Sequence, residues 1–273
     1  MSWIPVVLLA VLAGLPLVRY ALFLGSNRRA GRLGTIRDRC GGLLFPLFFG
    51  AASALWSEVL TILFYPLGWL APALPGGRGL HVVLVHGLCH NGSAWTLFRP
   101  GLARAGFGNV HVHAYDSCTR DFTAAVAGLR DILHGIYGPR PDARVVLVGH
   151  SLGGLVCRRI AGHEDFRERL AGLVTLGTPH QGSVLARLGW GAVAPHLIPG
   201  GAVPREVERV PDPVCPRLAL LSPVDDFVFP LHCLDPGRDG WKLEFTPPMS
   251  HVAMLYSPWV RRRVIRFLES VVS

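Results

Sequence analysis

The stretch Arg144-Val145-Val146-Leu147-Val148-Gly149-His150-Ser151-Leu152-Gly153-Gly154 decides how this chain reads. Its run of valine and leucine suits a strand buried on both faces, and residues 152–162 have helical spacing. Between the two stands G-x-S-x-G, the strand–turn–helix setting of a nucleophilic serine. A turn this tight leaves no room for side chains beside the serine, hence Gly149 and Gly153. Ser151 is lifted above the sheet edge, with a helix N-terminus behind it to favour developing negative charge. The plainer alternative is a glycine-rich turn with an incidental serine. The strand before, the helix after and His150 at the second position weigh against it.

Working outward, short apolar strands alternate with helix-length segments. Strand candidates lie at 81–85, 110–114, 173–176, 218–222 and 241–245, and helical spacing covers 93–105, 122–137 and 259–272. This alternation predicts an α/β fold, a mostly parallel sheet with helices on both faces. A nucleophilic serine needs a base, and the base needs a carboxylate that fixes its tautomer. The candidate acid lies in Ser222-Pro223-Val224-Asp225-Asp226-Phe227-Val228-Phe229-Pro230, just past a strand. The candidate base is His251, between the last strand and the last helix. His163, His180, His196 and His232 fit this order less well and read as ordinary polar residues.

From about residue 80 to residue 273 the chain resembles an α/β-hydrolase of the lipase/esterase type. The resemblance rests on four blocks in order. Val83-Leu84-Val85-His86-Gly87-Leu88 is similar to the strand and HG turn that supplies half of an oxyanion hole, and residues 148–154 are the elbow. Leu176-Gly177-Thr178-Pro179-His180-Gln181-Gly182-Ser183 is similar to a GTPHxGS segment. Asp225-x-x-Val228-x-Pro230, with His251 later, is similar to the acid and base loops. The resemblance implies Ser151 as nucleophile, His251 as general base and then acid, and Asp225 as orienting carboxylate. The Asp-x-x-Val spacing favours Asp225, but Asp226 beside it leaves the register open. It also implies an oxyanion hole made by the backbone N–H groups of Leu88 and Leu152, with His86, Gly87, Gly149, His150 and Gly153 supporting the turns.

No cofactor is implied and no metal: His111 and His113 have no third ligand at workable spacing. Residues 183–216 form a short insertion where this fold carries its cap, either an apolar lid over an acyl pocket or a packed loop. Cys215 and Cys233 flank the acid-bearing strand and turn, as a disulfide or as free thiols.

Composition supplies the second theme. Of 273 residues 50% are hydrophobic and 16% charged, with mean hydropathy +0.38. A chain this apolar can bury enough surface to offset its ordering entropy, so disorder is excluded, and the surplus points to lipid. The net charge of +9 rests almost wholly on arginine, Lys242 being the one lysine among 27 basic residues. With no basic stripe interleaved with aromatics, a nucleic-acid partner is not expected. The six cysteines show no CxxC pair.

The surplus lies in residues 1–75, which read as a membrane anchor. An apolar segment at 3–25 is broken by Arg19 alone, and another at 41–62 by Glu58 alone. Each is long enough to cross a hydrocarbon core of about 30 Å. Glu58 would snorkel or face the partner helix, and residues 63–75 would lie in the interface. Arg28, Arg29, Arg32, Arg37 and Arg39 lie between the two segments. The positive-inside bias puts them in the cytoplasm and the catalytic domain, 80–273, in the periplasm of a bacterial inner membrane. Two other readings compete: a cleaved signal peptide, which the absence of a basic residue before the apolar run disfavours, and a long apolar helix docked on the soluble domain.

The expected function is that of a membrane-anchored serine hydrolase of lipid-like carboxylic esters. Its partners would be an acyl-ester substrate and the membrane; oligomeric state is not legible. Acyl transfer or thioester cleavage on the same fold is the alternative. A non-enzymatic membrane or chaperone-like protein on a hydrolase scaffold is the third reading, and an intact Ser, Asp and His in order argues against it.

Overall fold

The computed structural model describes residues 3–69 and 79–272. Three helices come first, α1 (Ile4–Arg29), α2 (Leu33–Cys40) and α3 (Leu44–Phe64). Then follow β1 (Leu80–Val85), α4 (Phe98–Arg104), β2 (Val110–His113), α5 (Phe122–Tyr137), β3 (Arg144–His150), α6 (Leu152–Ala161) and β4 (Leu170–Leu176). The chain closes with α7 (Ala202–Arg209), β5 (Arg217–Leu221), β6 (Trp241–Phe245), α8 (Ala253–Tyr256) and α9 (Pro258–Val272). Among the described residues the six strands form one parallel sheet, ordered β2-β1-β3-β4-β5-β6.

Strand periodicity explains why the central strands β1 and β3 are mostly apolar. Val83, Val85, Val145 and Leu147 enter one core with α5 and α6, while Val82, Leu84, Val146 and Val148 enter the other with α4 and α9. Both faces are covered, so neither set can be polar. The segment expected to be one helix at 93–105 is two pieces: a short turn, Gly92–Trp95, capped by Asn91, and then α4. Pro100 falls in the first turn of α4, where a missing N–H costs nothing.

The sheet reverses direction of growth at β1, which is flanked by β2 on one side and β3 on the other. In open α/β sheets the crevice outside the carboxyl ends of the strands at such a point is where ligands bind. The HG turn ends β1 and the elbow ends β3, so both lie there.

The N-terminal helices differ from the expected hairpin of two spans. Tyr20, Phe23, Ile36 and Ala54 belong to the same core as α5 and α6, and Leu60 joins the opposite one. Positions 16, 20, 23 and 27 of α1 share one buried face, at the three- and four-residue spacing that docking of a helix requires. Tyr20 Oη donates to the Val224 carbonyl (2.9 Å), and Leu231 N–H donates to Asn27 Oδ1 (2.9 Å). The arginine segment touches the hydrolase body too, with the Arg39 guanidinium 3.9 Å from the centre of the Phe245 ring.

Among the described residues one helix, Leu44–Gly68, is long and apolar enough to cross a membrane. The interfacial segment expected at 63–75 is described only to residue 69, where Tyr65–Trp69 forms a 3-10 turn. Its remainder lies outside the described residues. The cap expected at 183–216 comprises two 3-10 turns, Val184–Leu188 and Ala194–Leu197, followed by α7. Cys215 and Cys233 are buried free thiols rather than a disulfide, and burial pushes them up to about 11 and about 12.

Candidate functional site

Ser151 has φ 54° and ψ −125°, a conformation L-residues rarely adopt outside nucleophile elbows. The close approach that forces it is measurable. A Cβ on Gly149 would stand 2.5 Å from the Gly153 carbonyl oxygen, and one on Gly153 would stand 2.5 Å from the His86 carbonyl oxygen. Elbow and HG turn are therefore packed backbone to backbone. A Cβ on Gly87 would lie 2.8 Å from Ser151 Cβ, which explains the glycine of the HG turn. Leu152 opens α6, and its N–H belongs to the helix-start groups that lack an intrahelical partner. Leu88 and Cys89 line the same cavity as Ser151, with Cys89 held at φ 51° by its N–H bond to Ser117 Oγ (2.8 Å).

His86 is a brace. Its Nε2 accepts from Tyr115 N–H (3.2 Å), so its proton sits on Nδ1 and is donated to the Gly87 carbonyl (2.8 Å). Tyr115 also stacks on it at 4.4 Å. Burial lowers its pKa to about 3, which keeps the ring neutral. His150 braces the opposite side of the site. Its Nε2 donates to the His251 carbonyl (3.1 Å), and burial holds it well below the usual histidine range. His180 is structural as well, held between Thr175 Oγ1 (3.1 Å) and Arg158 Nη1 (3.3 Å). His111 pairs with His81 (3.0 Å) and His113 with the Ala125 carbonyl (2.8 Å), so neither strand histidine faces the cavity's serine.

The adjacent aspartates share the holding of His251. Asp225 Oδ2 bonds its Nδ1 at 2.8 Å, while Asp225 Oδ1 accepts from the N–H groups of Phe227 (3.0 Å) and Val228 (2.8 Å). The last bond is the physical content of the Asp-x-x-Val spacing. Asp226 Oδ1 instead accepts from the His251 backbone N–H (2.9 Å). Both carboxylates are fully buried, and burial raises the Asp226 pKa.

Sequence reasoning missed what compensates Asp226. Arg19 of α1 donates from Nε to Asp226 Oδ2 (2.7 Å) and pairs through Nη2 with Glu58 of α3. Its guanidinium also lies 4.6 Å from the centre of the Phe227 ring, and that ring is stacked on His251 at 5.1 Å. The signal was present: a lone arginine and a lone glutamate in two apolar helices require partners.

Ser151 and His251 line one cavity of about 510 Å³ together with Gly87, Leu88, Pro179 and Phe227. Its walls are largely apolar, in the manner of small-molecule sites.

The α/β-hydrolase family model matches residues 82–271, and the chain belongs to that family. Among solved structures it is similar to a metagenome-derived lipolytic enzyme of the LipS and LipT study, at 20% identity and TM-score 0.56 over 73% of this chain and 100% of that one. It is similar likewise to the Bacillus licheniformis lipase BlEst2, at 19% identity and TM-score 0.56 over 74% and 93%. Among curated proteins, the GPI inositol-deacylase of Candida albicans is 32% identical over 83 residues, covering 26% of this chain and 21% of that protein. Salicylic acid-binding protein 2 of Nicotiana tabacum is 35% identical over 89 residues, covering 29% and 32%. The chain thus spans between a fifth and a third of the length of these curated relatives.

Proposed function

We propose that this protein is a serine hydrolase of carboxylic esters with apolar acyl groups, held at a membrane by its N-terminal helices. The observation that carries the reading is the Asp225 Oδ2–His251 Nδ1 bond of 2.8 Å, in a cavity that also receives the serine of a strained elbow. With Nδ1 donating to Asp225, His251 Nε2 is left unprotonated and able to take the Ser151 hydroxyl proton. Ser151 Oγ then attacks the ester carbonyl. The N–H groups of Leu152 and Leu88 receive the oxyanion, and such a donor is worth on the order of 100-fold in rate. Collapse expels the alcohol, protonated by His251, and leaves an acyl-enzyme. Water activated by the same histidine releases the acid.

Membrane attachment is supported by the outer face of α3, where Phe45, Phe48, Phe49, Trp56, Ile62 and Leu63 are exposed. A contiguous apolar surface of this kind marks a lipid or protein contact. Because α3 also lies along the hydrolase body, insertion of that face into one leaflet accounts for it better than a free-standing span.

Fluorophosphonate labelling of the purified protein, beside a panel of p-nitrophenyl esters, tests the chemistry. Wild type should be labelled and turn over esters, and Ser151→Ala should do neither while remaining folded. Labelling of Ser151→Ala at wild-type level would remove the assignment.

A further inference from the structure

One flank of the Ser151 cavity comes from a helix outside the hydrolase fold. Leu15, Val18 and Leu22 of α1 line it, and Leu185, Leu188 and Trp190 of the cap line it too. The spacing of three and four puts the α1 residues on a single stripe, on the far side of the helix from the stripe that docks α1 on the core. These side chains are apolar yet uncovered: Val18 is 58% exposed and Trp190 72%. Docking alone gives no reason for that, since the stripe could be polar at no cost to the packed face.

The flank also presents no free charge. Arg19, which lines it, is engaged by Asp226 and Glu58. His90, at the cavity's HG end, is held neutral by burial, with its pKa lowered to about 4. A neutral apolar trough leading to a nucleophile suits the acyl portion of an ester rather than a charged head group. From Leu15 to Leu22 the stripe runs about 10 Å along the helix axis, which fits an extended chain better than a compact group.

Resting on the ester-hydrolase reading above, we infer that α1 and the cap hold the substrate's acyl chain between them. Leu15 and Val18 set the chain length accepted. Because α1 precedes the matched residues 82–271, this wall is a feature of this chain added to the family fold.

The test compares kcat/KM of the full-length protein on p-nitrophenyl acetate, butyrate, octanoate and laurate, each below its micelle-forming concentration. Val18→Trp and Leu15→Trp fill the trough, and the laurate-to-acetate ratio should fall roughly tenfold, about the burial of two methylenes. Leu15→Ala combined with Leu22→Ala should move the optimum to longer chains. Leu17→Trp, on an exposed residue outside the cavity wall, should keep the wild-type ratio. An unchanged profile in the tryptophan variants that still take fluorophosphonate at Ser151 would overturn the inference alone. So would an equal shift in Leu17→Trp. If a tryptophan variant fails to fold, the alanine pair decides, and an unchanged optimum there overturns it. Wild type that takes no label and cleaves no ester removes the hydrolase reading and this inference together.

Discussion

β3 and α3 are both apolar nearly throughout, and they use that character differently. From Val145 to His150 every residue of β3 is buried, whereas α3 buries Pro46, Gly50, Ala54, Ser57 and Leu60 and leaves Phe45, Phe48 and Phe49 bare. The contrast lies in the small polar residues. Ser53, Ser57 and Thr61 recur every fourth position on α3, and each meets the hydrolase body. Ser53 Oγ accepts from Ser250 N–H (2.8 Å), Ser57 Oγ lies 3.4 Å from Ser250 Oγ, and Thr61 Oγ1 lies 3.0 Å from Tyr256 Oη. Ser250 adjoins His251, so α3 is fastened beside the candidate base. Apolar content alone does not separate a tether from a structural layer; the polar stripe on the helix does.

The severest way to break this comparison is to remove the helices. A chain beginning at residue 79 uncovers the core that Tyr20, Phe23 and Ile36 share with α5 and α6. It should give no cooperative thermal unfolding transition. A well-folded, active fragment would return α1–α3 to the status of a tether.

The next effect separates the two carboxylates. Asp225→Asn should lower kcat by about 10⁴ through the wrong His251 tautomer. Asp226→Asn should do far less, since its amide oxygen still accepts the His251 N–H. Equal losses in steady-state kinetics would mean that the backbone bond and the ring bond matter alike.

A smaller, structural effect is expected at Arg19. Arg19→Met leaves buried Asp226 and half-buried Glu58 without their cation and should destabilise by about 3 kcal/mol, the scale of a broken buried pair. Adding Asp226→Asn and Glu58→Gln should restore most of that loss. Thermal unfolding in detergent checks both, and a triple variant weaker than the single would show that packing, not charge, is at stake.

On the sheet side the expected effect depends on pH. The folded-state pKa of His86 is depressed to about 3 by burial, and His150 and His180 are displaced in the same direction. Below the ordinary histidine value the unfolded chain binds more protons than the folded one. The stability these groups contribute is therefore complete at pH 7 and lost as pH falls. At pH 5, His86 alone accounts for about 2 kcal/mol of loss. Asp226, displaced upward, works in the opposite sense but is a single group. The thermal midpoint should fall between pH 7 and pH 5, and a flat profile would contradict the buried neutral rings.

The elbow, the HG turn and the acid register were legible because each is local. Gly149 and Gly153 follow from backbone contact within one turn, and Val228 from a carboxylate that caps its own loop. The sheet was legible because a strand buried on both faces has no polar residues to hide it. The role of α1 was not, because an apolar run of that length satisfies the test for a span before any partner is considered. Arg19 read as an interruption of the run, although its meaning depends on Asp226, 207 positions away. Ser53, Ser57 and Thr61 were similarly readable only once their partners on the hydrolase body were known.

In the proposed mechanism, Phe227 neighbours two cations for part of the cycle. Arg19 is permanently charged, and on that mechanism His251 becomes imidazolium when it takes the serine proton. An aromatic ring carries negative charge density on its faces and attracts a cation within about 6 Å by roughly 0.5–2 kcal/mol. With Arg19 at 4.6 Å and His251 at 5.1 Å, the ring sees the first charge in the resting protein and the second only as the reaction proceeds. The attraction to the imidazolium is thus a differential one, absent from the ground state and present where the barrier lies. On this account Phe227→Leu keeps the cavity apolar and still slows turnover, because an aliphatic side chain fills the space without answering the charge.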